Sequence, residues 1–205
     1  MRASGNALRL LAAVPAVALA AVMAPAPAQA ADRSLATVLT SDGNTFDRNA
    51  ADFDVLTEAV LAVLEAKPNS PVKALTQAGT ALTAFAPNDR AFRSLVTDLT
   101  GKRVPAEKQV FAAVAGLGID TVETVLLYHV VPGAALASPK VLASDGATLT
   151  TAQGGSLIVR VEGSSVTLRD QDPDDTNPVV AAVDVNKGNR QIAHVIDRVL
   201  RPADL

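Results

Sequence analysis

Apolar residues recur at three- and four-residue spacing through the first half of the chain and alternate with polar ones through the second. Phe53, Leu56, Val60, Val63 and Leu64 form one face of a helix predicted from Asp52 to Glu65, and Pro68 marks its end. A short helical turn is predicted from Pro71, a residue favoured at a first helical position. Thr80 to Ala86 reads as a strand ending at Pro87. Asn88 then stands as the N-cap of a helix carrying Phe92, Leu95, Val96 and Leu99, closed by Gly101. Asp89 in its first turn suits the helix dipole. Pro105 to Ala115 repeats the pattern with Val110, Phe111 and Val114. Asp120 and Glu123 resemble a capping box opening a further helix, with Val122, Val125, Leu126, His129 and Val130 on one face and Pro132-Gly133 as its stop.

Beyond that point the period falls to two. Ala147 to Thr151, Ser156 to Val161 and Ser165 to Arg169 are predicted strands, with hairpin turns at Gly154-Gly155 and Glu162-Gly163. Asp170 to Asn177 reads as an acidic, proline-containing loop. Val179 to Val185 and Gln191 to Leu200 complete the strands. No internal repeat is present. Helices before strands, without regular alternation, predict a single α+β domain over residues 31–205.

The first thirty residues stand apart. Arg2 and Arg9 precede an apolar run from Leu10 to Met23, and Ala28-Gln29-Ala30 has the small-x-small form that a signal peptidase reads. Residues 1–30 are therefore expected to be a cleaved signal peptide. Pro15 interrupts the run, which is short for a membrane span of about 20 residues. Removing this leader takes two positive charges and no acids from a chain of net charge −3. A more acidic mature chain without a Lys/Arg cluster argues against a nucleic-acid partner. No second apolar segment approaches membrane length, and the C-terminal Arg201-Pro-Ala-Asp-Leu205 carries no anchor signal. With no cysteine, disulfides, thiol catalysis, Cys-zinc sites and a lipid-modified Cys are excluded. The expectation is release from the cell as a monomer.

Candidate chemistry is sparse. His129 and His194 both fall on apolar faces and are predicted to be internal imidazoles bonded to backbone, with a general base or pH switch as the competing reading. Gly155-Ser156 and Gly163-Ser164-Ser165 lie in predicted hairpin turns and lack the Gly-x-Ser-x-Gly frame of a nucleophile elbow. No phosphate loop or dinucleotide fingerprint is present, so no cofactor is expected. Asp170, Asp172 and Asp174 alternate as calcium ligands do. Asp175 and Ala181 stand where a calcium loop wants Gly and Glu, so the loop reads first as a solvated surface segment, with calcium-assisted binding as its rival. Tyr128 falls off the main apolar stripe and is expected to lean on the core with its hydroxyl free.

Three segments resemble the signatures of the fasciclin (FAS1) family. Thr83-Ala-Phe85-Ala-Pro87-Asn88-Asp-Arg-Ala-Phe92 resembles the first, Tyr128-His129 the central pair, and Ile192-Ala-His194-Val-Ile-Asp197-Arg-Val-Leu-Arg-Pro202 the second. They stand in the family's order, and the resemblance spans Leu35 to Pro202. It implies a wedge built from a small β-sandwich with helices packed along one edge. It assigns a structural signature to Thr83, Phe85, Pro87, Asn88, Phe92, His129, His194 and Asp197. It also implies an extracellular, non-enzymatic adhesion role, with a protein or polysaccharide partner and with Tyr128, His129, Asp184 and Val185 as contact candidates. Gln191 stands where the family usually has Gly. Val185 stands where animal members have Ile, with slightly longer spacing to His194, which argues against integrin-type adhesion. Arg93 to Gly118 is longer than the family's usual helical stretch.

Overall fold

The computed structural model describes residues 32–41 and 43–203; the predicted leader and its cleavage point lie outside the described residues. In chain order the elements are α1 (Leu35–Leu39), α2 (Asp54–Ala66), a 3-10 turn (Pro71–Thr76), β1 (Leu82–Pro87), α3 (Asp89–Thr100), α4 (Glu107–Ala115) and α5 (Ile119–Tyr128). β2 (Val130–Pro132), α6 (Ser138–Leu142), β3 (Thr148–Thr150), β4 (Ser156–Glu162), β5 (Ser165–Arg169), β6 (Val180–Val185) and β7 (Gln191–Ile196) follow. The strands form a four-stranded sheet in the order β2-β1-β7-β6 and a three-stranded sheet in the order β3-β4-β5. This is the α+β architecture expected.

The first sheet is mixed. β1 pairs antiparallel with β2 and parallel with β7, in a register that sets Phe85 opposite His194. Every residue of β1 and β7 is buried, as befits a parallel pair covered on both faces. The pleat sends alternate side chains to opposite cores. Leu82, Ala84 and Ala86 join the helices, packing with Val55, Val63, Phe92, Leu95 and Leu126. Phe85 and Ile196 face the second sheet, with Leu157, Val159 and Leu168. The two sheets thus share one apolar layer, and the helices cover the other face of the first sheet.

Local sequence explains the helix ends. Asn88 Oδ1 accepts the Ala91 N–H at 3.0 Å, the predicted N-cap of α3. Gly101 closes α3 with φ +66°, a left-handed conformation that suits glycine. The capping box assigned to Asp120 and Glu123 is corrected. α5 begins at Ile119 after Gly118 and has no side-chain cap. Both carboxylates instead hold the Lys67 ammonium at the C-terminal end of α2. α5 is also shorter than predicted: it ends at Tyr128, and the β-branched Val130-Val131 pair against β1.

The unusually long Arg93–Gly118 stretch forms the end of α3, a loop and α4. Phe111 of α4 stacks near Phe46 with ring centroids 5.8 Å apart, and Val110 and Val114 enter the helical core. The departure at Gln191 is equally well built in. Its side chain is fully buried. Oε1 accepts the Leu35 N–H at 2.7 Å, and Nε2 donates to the Ala74 and Gln77 carbonyls at 2.8 Å each. One amide therefore clamps α1 and the 3-10 turn to the start of β7, which the family's glycine could not do.

Candidate functional site

Both histidines are wired into backbone. His129 sits at the C-terminal end of α5, 4% exposed. The Leu200 N–H can only donate, and it lies 2.9 Å from His129 Nε2. Nε2 is therefore the unprotonated nitrogen, and Nδ1–H donates to the Val125 carbonyl at 2.7 Å. Burial pushes this imidazole down to about 4, opposed by the bond to Val125. The ring is neutral at physiological pH, with no lone pair left for a substrate. Two apolar voids of about 20 Å³ each flank it, lined by side chains such as Leu35, Phe85, Phe92 and Val125. They have the size of a water molecule and offer it nothing to bond to.

His194 uses the opposite tautomer. Its Nε2–H donates to the Leu136 carbonyl at 2.7 Å, and Nδ1 faces the Asp184 N–H at 3.4 Å. Its ring packs against Phe85 with centroids 5.9 Å apart. Burial lowers its pKa, against the bond to Leu136 and the Asp184 charge. Each imidazole thus ties a strand or helix end to a distant segment: α5 to the C-terminal segment, and β7 to the segment before α6.

The remaining signature residues also brace the interior. Thr83 Oγ1 donates to the Ala134 carbonyl at 2.7 Å and accepts the Leu136 N–H at 2.8 Å. Asp197 Oδ1 accepts the Val179 N–H at 2.7 Å. Phe85 and Phe92 are core residues, and Pro87 ends β1 where α3 begins.

Of the four contact candidates, Tyr128 and His129 have no surface to offer. The expectation of a free hydroxyl at Tyr128 is corrected: the side chain is fully buried, and its OH donates to the Ser156 carbonyl at 2.8 Å. Burial pushes its phenol up. The ring lies against Gly155, where any Cβ would stand 2.9 Å from Tyr128 Cε2, so a side chain at 155 would collide with it. Asp184 is occupied in a different way. Its Oδ1 accepts the Ser138 N–H at 2.7 Å; its Oδ2 accepts the Ser138 hydroxyl at 2.8 Å and pairs with Lys187 Nζ at 2.7 Å. The Lys187 contact, followed by the bonds from Ser138, holds this carboxyl down at about 2 against the cost of burial. Its φ of +63° lies at an irregularity in the β6–β7 register. Val185 packs partly against the helical core.

The acidic loop gathers Asp170, Asp172 and Asp175 around Arg201 and leaves Asp174 exposed. Asp170 Oδ1 accepts the Asp172 N–H, and Asp172 Oδ1 accepts the Asp174 N–H. The second oxygen of Asp170 accepts the Arg201 N–H at 2.9 Å. The buried Arg201 guanidinium reaches Asp172 at 3.3 Å, Asp175 at 3.2 Å and Asp98 at 3.4 Å. An internal cation already occupies the place an ion would take, so the solvated-loop reading is corrected for Asp172, which is buried. Among the described residues, the acidic groupings tight enough for a metal lie elsewhere, at Asp47, Asp52, Asp54, Asp89 and Glu107. The sequence marked Gln191 only as a departure and gave no role to Arg201 or Glu107. The missing glycine at 191 and the long Arg93–Gly118 stretch were the available signals.

Two stacked sheets with helices on one face, braced by two imidazoles whose hydrogen-bond partners are all backbone groups, define a β-sandwich domain with helices packed along it. The Fasciclin domain family matches residues 56–202, and the chain belongs to that family. Among solved structures it is similar to a FAS1 domain pair from the insect cell adhesion molecule Fasciclin I, with TM-score 0.55 and 16% identity. That match covers 82% of this chain and 51% of the other, so this chain spans about half its length. No curated protein gives a significant match.

Proposed function

We propose that the protein is a secreted, monomeric, non-enzymatic binding module that contacts a protein or polysaccharide outside the cell. Family membership supports this, as does the likeness to part of a cell adhesion molecule. The observation that carries it is the wiring of His129 and His194: every ring nitrogen faces backbone, and neither ring is hydrogen-bonded to a nucleophilic side chain. General acid–base work needs an imidazole within reach of a substrate proton, and these two are committed to the fold. Among the described residues no single helix is long and apolar enough to cross a membrane.

Recognition then falls to the outer surface. The outer strand β6 exposes Ala181, Ala182 and Val183, the last at 50%. Exposed apolar residues on an edge strand are the usual material of strand-addition contacts. The test is a binding screen of the purified protein against bacterial surfaces, envelope polysaccharides and matrix proteins, with Val183→Glu alongside. Saturable binding that weakens in the variant is the expected result. Absence of binding throughout the screen, or turnover of a substrate dependent on His129 or His194, overturns the proposal.

A further inference from the structure

The long Arg93–Gly118 stretch does more than add α4 to the core: its first residues wall an open cleft of about 540 Å³. Arg90, Arg93, Ser94, Thr97 and Asp98 recur at three- and four-residue spacing and share one face of α3. Arg103 joins them from the loop after α3, and Arg198 from the segment after β7. Four guanidiniums thus meet in a chain whose net charge is −3, although no two are adjacent in sequence.

Two of the four are answered. Glu107 pairs with Arg93 Nη2 at 2.6 Å, and Arg198 Nη1 reaches Asp98 at 3.3 Å and Asp175 at 3.4 Å. Asp98, the acid in the wall, is also shared with Arg201. Among the described residues no carboxylate pairs with Arg90 or Arg103, and both residues are exposed. Arg90 is moreover the second residue of α3, where the helix dipole favours acids over cations. Stability does not explain its place, and a charge held against local preference is a mark of function.

The hydroxyls of the wall narrow the chemistry. Ser94 Oγ donates to the Arg90 carbonyl at 3.2 Å, and Thr97 Oγ1 donates to the Arg93 carbonyl at 2.8 Å. Their protons are spent within the helix, so both oxygens keep only lone pairs for a ligand. Lone pairs repel an oxyanion but accept a hydrogen bond from a sugar hydroxyl. Guanidinium forks, in contrast, hold oxyanions by two parallel bonds. The wall has no aromatic ring on which a nucleic-acid base could stack. Its volume lies within the roughly 300–1,000 Å³ of small-ligand sites.

We propose that this cleft binds an acidic saccharide. The oxyanion of a uronate or sulfated sugar lies between Arg90 and Arg103, and neighbouring sugar hydroxyls donate to Ser94 and Thr97. Arg93 and Arg198, fixed by their own acids, add positive field behind it. The inference rests on reading the protein as a binding module, and β6 contributes nothing to this wall.

The test is calorimetric titration of the purified protein, at low ionic strength, with oligogalacturonate, a heparin oligosaccharide, neutral dextran and oligothymidylate. Saturable binding of galacturonate or heparin is expected, weakened roughly tenfold or more in Arg90→Gln combined with Arg103→Gln. Response to galacturonate alone makes the bound group a carboxylate; response to heparin alone makes it a sulfate. Thr97→Val, which keeps every charge, should weaken binding as well. Arg160→Gln removes an exposed charge elsewhere, on β4, and should change nothing. No binding of either acidic sugar overturns the site, as does equal loss in Arg160→Gln. Equal affinity for dextran overturns the need for an anion, and tighter binding of oligothymidylate overturns the saccharide. Binding that survives the double arginine change but is lost in Val183→Glu overturns the cleft and leaves the β6 surface standing. Arg90 and Arg103 hold no acid partner, so an unchanged Tm in their double variant shows that a loss of binding is not a loss of fold.

Discussion

On the sheet side of the molecule, Asp98, Asp172 and Asp175 close around the buried guanidinium of Arg201. On the helix side, Asp52, Asp89 and Glu107 crowd together while Arg93 reaches only Glu107. The side chains are of the same kind, and the difference lies in where the positive charge comes from. The alternating Asp170–Asp174 run looks like a cation loop along the chain, yet a cation from the chain's own end fills it. The helix-side carboxyls show no such spacing in sequence and become neighbours only when three helices start together. Carboxylates that alternate along the chain can therefore be answered by one internal guanidinium, whereas those that meet only in space share a single arginine with the first turns of the helices they begin.

The sharpest way to break this comparison is to remove the internal cation. Arg201→Met leaves Asp172 buried without its partner and should cost about 3–5 kcal/mol of stability, read by chemical denaturation. An unchanged stability would show that the buried carboxylates do not need this internal cation, and the contrast would fail. A smaller loss, about 1–3 kcal/mol, is expected for His129→Ala, because Nε2 holds the Leu200 N–H immediately before Arg201. This ring also sets a pH dependence. Its pKa is about 6.5 unfolded and about 4 folded, so the unfolded chain takes up the proton first as pH falls. Stability should decline from pH 6.5 toward pH 4, and His129→Ala should flatten part of that slope. His194, shifted in the same direction, accounts for a remaining share. The smallest effect belongs to the helix side. Asn88→Ala removes the N-cap of α3 and should cost about 1 kcal/mol.

Much of the architecture was legible in sequence because long elements carry their own period. α2, α3 and α4 follow from apolar spacing, and the β4–β5 hairpin turns at Gly163 as its glycine implies. α1 and α6 went unseen because five residues are little more than one helical turn and show no 3.6-residue period, and β2 was read as the end of the apolar face of α5. The Asp120–Glu123 pair misled for a related reason: the same two carboxylates serve a cap or a distant lysine, and only the approach of Lys67 decides. The two histidines were legible as internal, since each lies on an apolar face. Their partners were not, because Leu200 and Leu136 lie 71 and 58 residues away along the chain. Gln191 announced itself as a departure from the family, but its three bonds to α1 and the 3-10 turn appear only in three dimensions.

The pairing of β1 with β7 has a kinetic consequence. β1 takes its parallel partner from the far end of the domain, Leu82 opposite Gln191 and Pro87 opposite Ile196. A nascent chain that has already made every helix still lacks the strand that covers β1. Loop closure over so many residues makes such a fold slow to nucleate. The four-stranded sheet therefore stays open until β7 is available, and the apolar residues of β1 must wait for it uncovered on that edge.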